Sequence, residues 1–238
     1  MRKTIFIFLM ALFPLLATGQ EVTERFRRLA QQETRDSLFY IQLYETAKKT
    51  YKVRPDTTRH YLVQLLQPTR DTSLFRGMGL CYLNLGTIQK DQGNYDEAIH
   101  TYQEALAYLK PIGYDLAIAA VYNNLGTAYK RKAKYSIALN AYFKSLNIKQ
   151  DLHNETKIIS TFNNIGLVYF HLGEFDKAAR YYLRNIKICK RHQLANKQAK
   201  NYNNLGNVRL KQQRYREALN HYRQALNHLE PETNLFLK

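Results

Sequence analysis

The side chains best placed to do chemistry in this 238-residue sequence are amides, set out at a regular interval. Asn123-Asn124, Asn163-Asn164 and Asn203-Asn204 recur as adjacent pairs, each directly before a Leu-Gly or Ile-Gly step. An amide both donates and accepts, so a ladder of them suits hydrogen bonding to an extended peptide backbone. Asn is also a mediocre helix former, and its repetition mid-helix needs a reason. The competing reading is that Asn bridges neighbouring helices of the scaffold, or that one Asn of each pair does each job. Cations stand nearby. The stripe one position before Leu-Gly, extended a turn either way, gives Asn123, Asn124, Thr127, Lys130 and Arg131. It continues with Asn163, Asn164, Phe170 and His171, then Lys200, Asn203, Asn204, Asn207 and Lys211. Lys and Arg beside amides favour acidic side chains or a terminal carboxylate.

Other chemistries find no constellation. The seven His are scattered; only His221 and His228 share a helical face, with no third ligand at metal spacing. No phosphate loop, zinc-binding HExxH or Gly-x-Ser-x-Gly elbow occurs. The 19 Asp and Glu form no evident catalytic pair on one face. The sequence therefore predicts no enzyme, no cofactor, no metal and no small-molecule substrate.

The elements that carry the amides repeat. Gly86, Gly126, Gly166 and Gly206 stand at a constant interval, each preceded at four residues by Tyr82, Tyr122, Phe162 or Tyr202. Ala98, Ala138, Ala178 and Ala218 follow each Gly in register, and Tyr102, Tyr142, Tyr182 and Tyr222 follow each Ala. Tyr95, Tyr135, Phe175 and Tyr215 precede each Ala by one turn. Tyr122, Leu125, Gly126 and Tyr129 make one helical stripe, and Ala138, Leu139, Tyr142 and Leu146 the next. Between them falls a tight turn, with Gly93 and Gly173 supplying left-handed backbone in two units. Ala133 and Gln213 replace that Gly in the others, at about 1 kcal/mol each if the geometry is kept. Gly on one helix and Ala on the other let two backbones approach, while Tyr fills the space beside them and extends its hydroxyl to the surface. A single unit cannot bury both of its faces, so the units must stack.

The order aromatic-x-x-Leu-Gly, then Ala, then an aromatic four residues later resembles the tetratricopeptide repeat, over about Gly77 to Glu230. The familiar Trp is Tyr or Phe here, and the Tyr three after Gly is present only at Tyr129 and Tyr169. Gln89 and Arg209 take that place in the outer units, as expected of less buried ends. The 40-residue period exceeds the family's usual one, which makes the chain similar to the long-helix variety. The resemblance implies an all-α, right-handed solenoid of antiparallel helix pairs, with first helices lining a concave groove that takes a peptide.

The predicted organisation is a leader over 1–19, N-terminal helices over 20–76, and four repeats over 77–238, at about 79–118, 119–158, 159–198 and 199–238. The N-terminal part includes a degenerate capping pair, Asp36 to Tyr51 and Asp56 to Gln67 with Asp56 as N-cap, and one further helix from Glu21 to Thr34. Arg2 and Lys3 followed by an apolar run from Ile5 to Ala17 form a secretory signal, with cleavage before Gln20. The run is too short to span a bilayer as an anchor. The chain is thus expected to be exported, periplasmic or secreted. Cys81 and Cys189 lie in different repeats and read as small core hydrophobes.

A net charge of +17 falls to +15 once Arg2 and Lys3 are removed, and favours acidic partners. Nucleic acid is the least favoured of these in an exported protein. The best functional reading is a scaffold binding a protein segment. The alternative is the extracytoplasmic sensor portion of a signalling protein of the sensor-kinase or regulator type. Leu235-Phe236-Leu237, trailing past Pro231 with no polar capping helix, adds self-association through the last repeat as an expectation.

Overall fold

The structure is a computed structural model that describes residues 20–21, 23–32, 35–67 and 70–229. The leader and the Leu235-Phe236-Leu237 tail lie outside the described residues. Every described element is helical. The chain divides into two compact units, Met1–Val121 and Tyr122–Lys238.

In the first unit, α1 (residues 20–21 and 23–30) precedes α2 (Ser37–Thr50) and α3 (Pro55–Leu65). Asp36 caps α2, its carboxylate accepting from the Phe39 amide at 2.8 Å. The N-cap of α3 is Arg54, with Pro55 opening the helix and Asp56 in the first turn. This corrects the assignment of Asp56 as N-cap. Proline needs no amide partner at the first helical position, so the helix starts on it. One 3₁₀ turn (Thr72–Leu74) then leads into α4 (Phe75–Asp91) and α5 (Tyr95–Leu109). Phe26, Phe39, Leu43, Leu62, Met78 and Ile88 form the core, and Phe26 stacks on Tyr61 with ring centroids 5.0 Å apart. Cys81 lies in the same core as a free thiol, its pKa raised by burial, and Sγ donates to the Tyr40 carbonyl at 3.4 Å.

The second unit begins within α6 (Asp115–Arg131) and continues through α7 (Tyr135–Asp151), α8 (Glu155–His171), α9 (Phe175–Arg191), α10 (Ala195–Lys211) and α11 (Tyr215–Asn227). The paired helices from α4 onward begin at 75, 95, 115, 135, 155, 175, 195 and 215. The first pair therefore opens four residues before the predicted 79. Cys189 is a second free, buried thiol.

The turns keep time with the helices. Gly93 and Gly173 have φ of +87° and +77°, and Ala133 and Gln213 adopt the same left-handed region at +55° and +60°. The turns between pairs do likewise, with Gly113, His153 and Gln193 at +60°, +49° and +53°. Each turn lets the amide two residues past the left-handed position's predecessor close a wide ring onto the helix. An example is Lys134 N to Tyr129 O at 2.9 Å.

Within each pair the Gly faces a Tyr ring. A Cβ on Gly126 would lie 2.6 Å from Tyr142 Cδ1, one on Gly166 2.6 Å from Tyr182 Cε1, and one on Gly86 2.7 Å from Tyr102 Cε1. Gly206 faces Tyr222 in the same way. The Gly clears room for the ring itself, which corrects the picture of Tyr merely filling space beside two close backbones. Nor do these hydroxyls simply reach the surface. Tyr102 donates to Thr87 Oγ1 at 3.4 Å, Tyr142 pairs with Thr127 Oγ1 at 3.1 Å, and Tyr222 donates to Asn207 Oδ1 at 2.8 Å. Burial pushes the Tyr142 hydroxyl up to about 12, so it stays a neutral donor. Gln89 and Arg209 are half-buried like Tyr129 and Tyr169, which corrects the expectation of less buried ends. The Arg209 side chain is 16% exposed and lies 3.3 Å from Glu217, an ion pair taking the place of a ring.

Candidate interaction surfaces

The amides of successive repeats in the second unit meet one another. Asn164 Nδ2 donates to Asn123 Oδ1 at 3.4 Å, and Asn204 Nδ2 donates to Asn163 Oδ1 at 2.9 Å. The second Asn of one pair thus joins the first Asn of the preceding pair. Adjacent first helices set their Asn side chains one step out of register, which is why a pair of residues is used. Thr161 Oγ1 adds a bond to Asn123 Oδ1 at 3.2 Å and accepts from Lys149 Nζ at 2.7 Å. Asn185, fully buried in α9, donates both to the Ile159 carbonyl at 3.0 Å and to Asn201 Oδ1 at 3.1 Å. A polar seam therefore runs between the helices. Asn124 is half-buried and engaged, whereas Asn203 is exposed.

A cleft of about 360 Å³ opens beside this seam, between α8 and α10. Asn163, Asn164 and Lys200 line it, as the sequence stripe grouped them, together with Lys157, Lys197 and Ser160. Thr156, Ile159 and Asn201 complete the lining, and no carboxylate is present in it. Lys157 and Lys197 occupy equivalent positions of successive repeats. The stripe around Leu-Gly missed both because they sit in the first turns of α8 and α10. Their shared register was the available signal. Lys130 belongs to the same field. Burial, then Arg131 and Lys200, hold its ammonium below the ordinary lysine value.

The remaining stripe residues go elsewhere. Thr127 and Asn207 turn inward to the Tyr hydroxyls. His171 stacks on Tyr135 at 5.8 Å and 7°, and Phe170 packs edge-on to Phe175 at 5.7 Å. Arg131 and Lys211 are exposed at the ends of α6 and α10. His221 and His228 both stack on Tyr202, at 6.2 Å and 5.6 Å, and Gln198 Nε2 donates to His228 Nε2 at 3.0 Å. Among the described residues no group of three His, Cys, Asp or Glu could hold a metal ion. No described helix is long and apolar enough to cross a membrane.

The last repeat is more open than those before it. Leu226 is 57% exposed, whereas Leu106, Leu146 and Ile186 at the equivalent position are 8%, 6% and 8% exposed.

Comparison with known proteins gives the setting. Residues 80–151 and 157–230 match the family model described as "Tetratricopeptide repeat". No curated protein matches the sequence. Among solved structures, BtubC (BKLC) from P. vanneervenii is similar over 94% of this chain and 92% of its own, at 22% identity and a TM-score of 0.76. MamA is similar over 79% of this chain and 95% of its own, at 22% identity and a TM-score of 0.59. The apo form of RapI covers 96% of each chain at 12% identity and a TM-score of 0.67. These are likenesses of fold.

Proposed function

Because this chain belongs to the tetratricopeptide repeat family, we propose that it is an exported scaffold that holds an acidic protein segment against the first helices of its last two repeats. A helical repeat of this kind is a scaffold for protein interaction. The observation that carries the finer reading is the α8–α10 cleft, which gathers Lys157, Lys197 and Lys200 beside Asn164 and Ser160 without a carboxylate. An acidic side chain would find ammonium and hydroxyl donors together there. The amides of Asn163 and Asn204 serve the scaffold with one atom each and leave their other polar atoms to a partner. Export rests on Arg2, Lys3 and the apolar run that follows.

The test is fluorescence anisotropy with a labelled Glu-rich peptide and a Lys-rich peptide of equal length. The Glu-rich probe binds, and Lys157→Glu with Lys197→Glu weakens it at least about tenfold, while circular dichroism is unchanged. Equal binding of both peptides, or no effect of the charge reversal, overturns the reading. Cell fractionation with N-terminal sequencing tests export separately, with Gln20 as the expected new terminus.

A further inference from the structure

We propose a second anion site in the third repeat, a socket for a phosphate group built by Lys177, Arg180 and Arg184 of α9 against the rings of Tyr169 and Tyr181. It shares no residue with the α8–α10 cleft. Positions 177, 180 and 184 lie on one face of a helix, within about two turns of one another. Tyr169, near the end of α8, stacks on Tyr181 with centroids 5.7 Å apart and planes at 15°. Lys177 Nζ lies 5.5 Å from the Tyr169 centroid, and Arg184 Cζ lies 5.7 Å from the Tyr181 centroid. These five side chains enclose a cleft of about 290 Å³.

The repeat supplies its own control. The same three positions hold Glu97, His100 and Glu104 in the first repeat, Ile137, Asn140 and Lys144 in the second, and Glu217, Asn220 and Gln224 in the fourth. At the two ring positions the first repeat has Gln89 and Thr101 and the fourth Arg209 and His221, while the second keeps one ring, Tyr129, beside Ala141. The helix pair folds without any of the five residues. Three like charges on adjacent turns repel, and this costs stability in the absence of an anion. Lys177 has one exposed ion pair, to Glu174 at 3.3 Å, which offsets little. Among the described residues Arg180 and Arg184 have no salt bridge.

The donor set selects the ligand. Two guanidinium forks and an ammonium offer more N–H groups than one carboxylate can accept, whereas a phosphate presents three terminal oxygens as a monoester and four as the free ion. Burial raises the Tyr181 hydroxyl's pKa, with Tyr169 adding to it, so the phenol remains a donor to an anion. The cations held over the rings are positioned before the ligand arrives.

The phosphate can be a free ion or the headgroup of an anionic lipid. Titration calorimetry of the full chain with inorganic phosphate, at constant ionic strength, tests the site, and sodium chloride serves as the control titrant. One equivalent of phosphate binds, Arg180→Gln with Arg184→Gln weakens it at least about tenfold, and Lys157→Gln with Lys197→Gln leaves it unchanged. Phosphatidylcholine vesicles with and without phosphatidic acid identify the source. Recruitment that needs phosphatidic acid, and that the Arg pair of substitutions lowers, assigns the headgroup. Phosphate binding without such recruitment assigns the free ion. Absence of binding in both arms, or equal binding by the Arg variant with an unchanged helical spectrum, overturns the proposal.

Discussion

Asn204 Nδ2 donates to Asn163 Oδ1 at 2.9 Å, joining two residues 41 apart in sequence. Asn163 is 9% exposed, so an unmatched amide there is costly. Asn163→Ala and Asn204→Ala each lower stability by about 1 kcal/mol, and a double-mutant cycle returns a coupling of about 0.5–1.5 kcal/mol in chemical denaturation. Additive losses would mean that the bond contributes nothing.

The Gly126–Tyr142 contact predicts a graded response. A Cβ at 126 meets the ring at 2.6 Å, so Gly126→Ala destabilises and Gly126→Leu does so further, by about 1–3 kcal/mol or more. Tyr142→Leu in the Gly126→Ala background recovers part of the loss, read as a melting temperature. Tyr142→Leu alone is the reference for that comparison.

Among the described residues four turns place side chains in left-handed backbone. Ala133→Gly, His153→Gly, Gln193→Gly and Gln213→Gly each raise stability by up to about 1 kcal/mol, measured by thermal unfolding. Gly173→Ala, at φ +77°, has the opposite sign.

Lys149 carries a pH signature. It is 6% exposed, its ammonium donates to Thr161, and burial followed by the nearby Lys157 lowers its pKa from 10.5 to about 8. Between those values the unfolded chain binds a proton that the folded chain does not, so stability rises with pH across the window. Below about 8 both states are protonated and the full cost remains. The equivalent positions of the first and third repeats hold Leu109 and Cys189, both buried, and that of the fourth holds Leu229, which is exposed. Lys149→Met therefore stabilises the chain at neutral pH and flattens the rise, as followed by denaturation at several pH values.

Much of this was legible in the sequence for a local reason. The helix pairs, the left-handed turn positions at 93, 133, 173 and 213, and the Asp36 cap depend on residues within one turn of each other. The partner of Gly126 is another matter, since spacing alone left the ring at 142 beside the crossing instead of on it. Thr127 and Asn207 are legible only once a Tyr hydroxyl is known to end beside them. His153 and Gln193 carry no turn signal of their own, because length and register force their conformation. The Asn pairing required the offset between neighbouring repeats, which no single repeat encodes. Lys157 and Lys197 lay two turns before the motif, outside the stripe that the motif defines.

The even beat of the helices, with α8 and α10 opening at 155 and 195, has a meaning for inheritance. A duplication of the coding stretch for residues 155–194, inserted in frame after its original, would deliver a unit whose Asn pair finds matching amides before and after it. Copy number is then a heritable variable that lengthens the protein without demanding a new core. Lineages carrying this gene are expected to differ by whole repeats more readily than by fragments of one.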